Sequence, residues 1–288
     1  MPVFWAALLT GCQPRELELE LLTGSGYVCL LTNGAIECQS NDDTYDNGET
    51  APPASRWESI AHSNHNLCGL EPDGTPHCWG GNEGGQADIP SGLSIDSFFL
   101  GFENACVINT SGTLSCWGNE WTGLNEAPAG EFIAAAAAER VACARSADDA
   151  WSCWGGWWGI EETHDGYVFD WTLPEETLVE MEGTNGNICG LDEDGAIHCW
   201  GMSNWGVTEP PEGTGYRDLS VGGNHACAIN ASDEVECWGD VEVWQRYMEG
   251  QWLTFDAGPW MDCGIRDDGE IDCWGCLFSD PFACDWDE

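Results

Sequence analysis

Residues 106–118 read Cys106-Val107-Ile108-Asn109-Thr110-Ser111-Gly112-Thr113-Leu114-Ser115-Cys116-Trp117-Gly118, two cysteines bracketing a short segment with a glycine near its middle. If Cys106 faces Cys116 across an antiparallel ladder, Val107 meets Ser115, Ile108 meets Leu114 and Asn109 meets Thr113, leaving Thr110-Ser111-Gly112 as the loop. A three-residue hairpin loop favours a left-handed residue in its last position, where glycine carries no steric penalty. The phrase recurs along the chain. First cysteines stand at Cys29, Cys68, Cys106, Cys143, Cys189, Cys227 and Cys263, 36 to 46 residues apart. In six of the seven units the second cysteine, at Cys78, Cys116, Cys153, Cys199, Cys237 or Cys273, opens a Cys-Trp-Gly. The first unit departs, with Cys38-Gln39-Ser40.

The same inward count leaves Pro72-Asp73-Gly74, Glu193-Asp194-Gly195 and Asp267-Asp268-Gly269, each ending in glycine. Two units leave Ala147-Asp148-Asp149 and Ala231-Ser232-Asp233, ending in aspartate, which tolerates the left-handed region better than most residues. In the first unit the cysteines are one residue closer, and the count leaves Asn33-Gly34, a type I′ turn signal. The cysteine spacing shrinks where the loop shrinks, so the cysteines stay opposed. Directly opposed strand residues lie within disulfide reach. The expected pairs are Cys29–Cys38, Cys68–Cys78, Cys106–Cys116, Cys143–Cys153, Cys189–Cys199, Cys227–Cys237 and Cys263–Cys273, with Cys276–Cys284 as an eighth. Of the 17 cysteines only Cys12 is then left over. Zinc wants its thiolates gathered in sets of four, whereas each pair here is isolated on its own hairpin, so no metal site is expected from them. Disulfides imply an oxidising compartment.

The 288 residues include 51 acidic and 7 basic side chains, all of the latter arginine, for a formal net charge of −44. Such a field repels phosphates and anionic headgroups, which argues against nucleic acid and against a membrane bound through a basic patch. With 42% hydrophobic residues and 18 tryptophans, the chain carries enough apolar surface to fold despite that charge. Strand-like segments precede the cysteine phrases, as in Glu16-Leu17-Glu18-Leu19-Glu20-Leu21 and Tyr216-Arg217-Asp218-Leu219-Ser220-Val221. Gly24, Gly101, Gly222 and Gly258 each stand five residues before a first cysteine.

A β unit of this length, repeated seven times and holding a hairpin plus a further strand, points to an all-β, seven-bladed β-propeller over residues 13–275. The tryptophan of Cys-Trp-Gly is expected to wedge between blades. His225-Ala226-Cys227-Ala228-Ile229 with Glu236-Cys237-Trp238-Gly239, and the following Gly-Asn piece Gly81-Asn82-Glu83-Gly84-Gly85-Gln86, resemble the regulator-of-chromosome-condensation repeat. The resemblance covers about residues 16–275 and implies a seven-bladed propeller. The family spans exchange factors for a small GTPase, a secreted inhibitor of β-lactamases and many exported bacterial proteins. The acidic, disulfide-rich character of this chain departs from the exchange factors, and fold does not carry function.

At the other end of the chain, Leu9-Thr10-Gly11-Cys12 after a short apolar run resembles a bacterial lipobox. That resemblance implies a signal segment over residues 1–12, a lipid on Cys12 and a bacterial envelope location, with Gln13-Pro14 leaning towards the outer membrane. Contact with a membrane would come only through this anchor. Residues 276–288 read as an acidic tail with the extra disulfide.

His77, His198 and His225 occupy framework positions, and no nucleophile–histidine–acid arrangement stands out, so a binding protein rather than an enzyme is expected. No cofactor is expected, and the acidic stretches 41–48 and 285–288 allow at most weak Ca²⁺ binding, since neither follows the EF-hand pattern. Trp121, Trp157, Trp158, Trp205 and Trp244 follow Cys-Trp-Gly phrases, and Trp171 closes the insertion in the longest interval. These rings either pack blade edges or form a recognition rim for a protein or a glycan, and tryptophan is enriched at binding hot spots. The chain reads as a monomeric, lipid-anchored, protein-binding propeller.

Overall fold

The computed structural model describes residues 19–40, 46–156, 163–164, 167–170, 176–184, 186–241, 250–259 and 261–275. Seven antiparallel sheets succeed one another along the chain. Blade one is β1 (Leu19–Thr23), β2 (Tyr27–Thr32) and β3 (Ala35–Ser40); blade two is β4 (Ser59–His62), β5 (Asn66–Leu70) and β6 (Pro76–Gly80). Blade three is β7 (Ile95–Leu100), β8 (Asn104–Asn109) and β9 (Leu114–Gly118); blade four is β10 (Phe132–Ala138), β11 (Val141–Ser146) and β12 (Trp151–Gly155). The insertion that follows contributes β13 (Thr163–His164) and β14 (Tyr167–Asp170). Blade five is β15 (Leu178–Thr184), β16 (Asn187–Asp192) and β17 (Ile197–Met202), and β14 pairs with β17, so this blade is widened to five strands. Blade six is β18 (Arg217–Val221), β19 (His225–Ile229) and β20 (Val235–Gly239); blade seven is β21 (Trp252–Ala257), β22 (Met261–Arg266) and β23 (Ile271–Gly275).

The hairpin register is the one the cysteine phrase predicts. Cys106 faces Cys116, Val107 faces Ser115 and Ile108 faces Leu114, and all seven hairpins oppose their cysteines in the same way. Seven disulfides result, with Cα atoms 4.0–4.1 Å apart. Asn109 bonds Thr113 through the backbone, so three residues further from the turn Cys106 falls in a non-hydrogen-bonded pair, the closer of the two antiparallel spacings. Gly74, Gly112, Gly195 and Gly269 adopt φ of 74° to 85°, and Asp149 and Asp233 adopt 62° at the same loop position. Asn33 and Gly34 both have positive φ, as a type I′ turn requires. Cys273-Trp274-Gly275-Cys276 has the spacing of a redox pair, but Cys273 is bonded to Cys263. Cys12, Cys276 and Cys284 lie outside the described residues.

The first strands of successive blades lie against one another from β4 round to β21, and β21 lies against β1, which closes the ring. In a radial array only the strands nearest the axis can meet in this way, so the first strands line the axis. Middle strands such as β5 and β19 are buried along their whole length, and β8 in all but its last residue, because each of their faces meets a neighbouring blade. There is accordingly no single core. Seven apolar clusters occupy the seven blade–blade interfaces. In each interface the disulfide of one blade meets the following blade, as where Cys143 packs with Ile188 and Trp200.

Polar bonds repeat with the same period. Trp117 Nε1 donates to the Gln86 carbonyl at 2.9 Å, Trp154 Nε1 to Leu124 O at 2.9 Å, Trp238 Nε1 to Val207 O at 2.8 Å and Trp79 Nε1 to Glu49 O at 3.1 Å. Each acceptor lies in the segment that follows the preceding blade, so every such indole ties one blade to the next. Gly101 and Gly222 open the turn between first and second strands, where a Cβ would meet the Glu139 carbonyl at 2.6 Å or the Gly258 carbonyl at 2.8 Å of the adjacent blade. The blades converge too closely there for any larger residue. Substituting Trp117→Phe keeps most of the apolar wedge but leaves the buried Gln86 carbonyl unpaired. Denaturant unfolding is expected to show a loss of about 1–3 kcal/mol, whereas Trp121→Ala, on the surface, stays within about 0.5 kcal/mol.

Candidate functional site

Strand register sorts the turns onto two faces. Thr23 faces Val28 and Tyr27 faces Ser40, so the turns between first and second strands share one end of the blades with the segments after Cys-Trp-Gly. We call this the upper face. The disulfide-hairpin turns lie on the lower face.

Trp121 and Trp205 are on the upper face, 82% and 42% exposed. Trp121 sits in a single 3-10 turn, Glu120–Thr122, whose Asn119 cap accepts from the Trp121 N–H at 2.9 Å. The turn is held from below. Thr122 Oγ1 donates to Asn104 Oδ1 at 2.7 Å, and Leu124 is fully buried in the interface of blades three and four. Trp157, Trp158, Trp171 and Trp244 lie outside the described residues. Of the acidic stretch 41–48, residues 46–48 are described: Asp46 Oδ1 accepts from Gly48 N–H at 2.8 Å and closes a local turn. Three framework histidines bond carboxylates: His77 to Glu71 at 2.7 Å, His198 to Asp192 at 3.0 Å, and the buried His225 to Asp262 of the next blade at 3.0 Å. Burial opposes the His225 imidazolium, but the charge and hydrogen bond of Asp262 outweigh it and raise its pKa.

The axis holds a feature the cysteine phrase does not announce. Seven residues before the first cysteine, blades one to four carry Leu22, Ala61, Phe99 and Ala136, while blades five to seven carry Glu182, Ser220 and Asp256. Nine residues before it stand Glu20, Glu180 and Asp218 in blades one, five and six. An inner strand is an edge strand, and its N–H groups need acceptors. The acids supply them across the gap between blades. Glu182 accepts from Val221 N–H at 3.0 Å, Glu180 from Leu219 N–H at 3.0 Å and Asp218 from Phe255 N–H at 2.7 Å. Ser220 Oγ accepts from Ala257 N–H at 2.8 Å and donates to Asp256 Oδ1 at 2.8 Å. Asp256 Oδ2 accepts from the Thr23 N–H and, at 2.7 Å, from the Thr23 hydroxyl, which carries the ladder through ring closure into blade one.

From the opposite side, His62 at the end of β4 brings Nε2 to 3.9 Å from Glu182 Oε1 and 3.8 Å from Asp256 Oδ2. These three side chains, from blades two, five and seven, form the group of potential metal donors among the described residues. Above them the upper mouth narrows to a small depression lined by Ser63, Asn64, Phe102, Glu139 and Thr184 among others. No metal site is expected from the sequence, in which His62, Glu182 and Asp256 share no motif. The signal was present as acids recurring at one register of the segments ahead of the cysteines, but only the closed ring turns that register into a shared axial face.

Burial, and after it the crowding of like charge, raises the axial carboxyls. Burial first, then Asp256 and Asp218, push Glu20 up to about 7; burial and Asp218 push Glu180 up to about 7. Burial, Asp256 and Glu180 hold Glu182 well above the usual carboxylate range.

No family model matches the chain. Among solved structures it is similar to the ectodomain of the receptor kinase CR4 from Physcomitrella patens, with a TM-score of 0.68, 21% identity, and coverage of 89% of this chain and 72% of that one. It is similar to the CRINKLY WD40 ectodomain of the receptor kinase ACR4 from Arabidopsis thaliana, with a TM-score of 0.68, 20% identity, and coverage of 89% and 94%. It is also similar to Prp20p, the yeast RCC1, from Saccharomyces cerevisiae, with a TM-score of 0.66, 13% identity, and coverage of 90% and 82%. The likeness establishes an RCC1-like propeller fold.

A carboxyl whose folded pKa is about 7, against 4.5 for the free group, stays protonated in the fold over a range where the unfolded chain has already ionised. The unfolded state therefore binds fewer protons, and stability falls as pH climbs between those two values and is level above them. Thermal melts in chelator-containing buffer are expected to show a Tm that drops from pH 5 to pH 7.5. Glu20→Gln is expected to flatten part of that slope by stabilising the protein only at the higher pH.

Proposed function

We propose that this chain is an exported propeller that binds a protein through its upper face and is held at the bacterial envelope by a lipid on Cys12. One observation carries the reading: Trp121 exposes 82% of its surface on a turn whose neighbours Thr122 and Leu124 are buried. A large ring carried in solvent on an anchored turn offers much area without ordering of the backbone on docking, which is the profile of a hot-spot residue. Trp205, 42% exposed in the corresponding segment of blade five, extends the same face. The net charge of −44 favours a partner with a basic surface, by steering and by complementarity. Prp20p, a propeller of like fold, is described as binding Gsp1p and histones, which supports a protein partner rather than a substrate. On this reading the chain is a binding module without catalytic activity, acting as a monomer, and its seven disulfides suit an oxidising compartment.

Capture from native envelope extracts tests it. The wild-type chain is expected to retain a protein that the Trp121→Ala/Trp205→Ala variant loses by about 30-fold or more in affinity, equivalent to about 2 kcal/mol, with Tm unchanged. Strong glycan-array binding that disappears in the same variant would move the assignment to a carbohydrate. For the anchor, Cys12→Ala is expected to abolish incorporation of labelled fatty acid, and retained label refutes it.

A further inference from the structure

We infer that His62, Glu182 and Asp256 form a binding site for a divalent first-row transition ion of the zinc class, set on the axis of the ring. The inference is independent of the upper-face reading.

Geometry comes first. The three donor atoms all lie within 4.8 Å of one another, and His62 Nε2 is 3.9 Å and 3.8 Å from the two carboxylate oxygens. These separations are too long for hydrogen bonds. They suit donors that share an ion, because nitrogen and oxygen ligands about 2.0–2.2 Å from a zinc-like centre stand roughly 3–4 Å from one another.

The imidazole supplies the second observation. His62 Nδ1 is buried without a hydrogen-bond partner among the described residues, and Nε2 faces Glu182 Oε1 and Asp256 Oδ2. The side chain is only 18% exposed. An imidazole with its proton on Nδ1 leaves the Nε2 lone pair facing two carboxylates with no donor between them, which is the arrangement an ion would complete.

The donors are also held in place. Glu182 Oε2 accepts from Val221 N–H at 3.0 Å, which turns Oε1 towards His62. Asp256 Oδ1 accepts from Ser220 Oγ at 2.8 Å, and Thr23 Oγ1 donates to Oδ2 at 2.7 Å. Such outer contacts orient metal ligands and help set affinity. The ion pairs Arg145–Asp149, Arg217–Asp233 and Arg266–Asp272 all lie towards the lower-face hairpin turns; among the axial acids Arg217 acts on Asp218, and none of the three guanidiniums pairs with Glu182 or Asp256.

The donor set chooses the ion. Calcium and magnesium take oxygen ligands, calcium six to eight of them, whereas one imidazole with two carboxylates suits zinc or its neighbours with water completing the shell. Blades two, five and seven would then be joined through one centre.

The full-length chain, stripped with chelator and dialysed, is titrated with ZnCl₂ by calorimetry. One saturable site is expected above the weak background of surface acids, with no matching isotherm for CaCl₂ or MgCl₂. His62→Ala and Glu182→Gln are each expected to weaken that site at least tenfold. His77→Ala, on a histidine paired with Glu71 away from the axis, leaves it unchanged. Co²⁺ in place of Zn²⁺ is expected to give visible ligand-field bands that His62→Ala abolishes while near-ultraviolet circular dichroism stays native. Absence of a saturable site, a site indifferent to both His62→Ala and Glu182→Gln, or equal binding of Ca²⁺ overturns the assignment.

Discussion

The hydrogen bond from a Cys-Trp-Gly indole to a carbonyl of the preceding blade is the contact on which the ring depends. A three-stranded sheet with both faces apolar cannot stand alone in water, and each blade buries its faces only against its two neighbours. The tryptophan does this twice over. Its ring fills the wedge, as Trp154 does against Phe99 and Leu124, and its N–H engages a carbonyl that burial would otherwise orphan. The disulfide of the neighbouring blade forms the opposite wall. The apolar packing repeats at seven interfaces and the indole–carbonyl bond at four of them, with Trp200 Nε1 donating instead to Cys143 Sγ, so the apolar interior is distributed around the disc.

Ring closure is made by packing and polar contacts, since each blade's central three strands are consecutive in sequence. Leu21 meets Met261, Cys263 and Ile265 at the seam, and Asp256 takes both the N–H and the hydroxyl of Thr23. The acid that closes the ring is thus also the last step of the axial ladder that begins at Glu180. Carboxylates at an inner edge are good acceptors for unpaired strand N–H groups, yet they repel one another in the confined space around the axis. Burial first and that repulsion second raise Glu20 and Glu180. Blades three and four, with Phe99 and Ala136 at the equivalent position, avoid it by presenting no charge.

The two faces differ as a result of where the loops fall. Hairpin turns on the lower face are short and nearly identical, because disulfide register dictates their length. The segments after Cys-Trp-Gly on the upper face need only deliver one carbonyl to the next tryptophan, as Gln86, Leu124 and Val207 do. Their remaining residues are free to vary, and there the exposed rings of Trp121 and Trp205 stand. The described residues of the insertion add strands to the edge of blade five, where β14 extends the ladder beyond β17.

Much of this was legible in the sequence, because cysteine spacing and turn chemistry are local constraints that confirm one another. The one-residue-shorter spacing of Cys29 and Cys38, matched to Asn33-Gly34, is enough to assign register, and register with opposed cysteines is enough to assign the disulfides. Seven such units imply seven blades, and an exposed Trp121 outside the repeat's own tryptophan position was visible as surplus. The axial group was not legible. Ala61 and Asp256 occupy the same place in their repeats, and His62 is one residue out of that register, so no local pattern links His62 to Glu182 and Asp256. More than 190 residues separate His62 from Asp256, and only a closed ring sets them 3.8 Å apart across its axis. Local geometry decides each blade; the convergence of seven inner strands on one line, a property of the whole ring, decides which side chains meet at its centre.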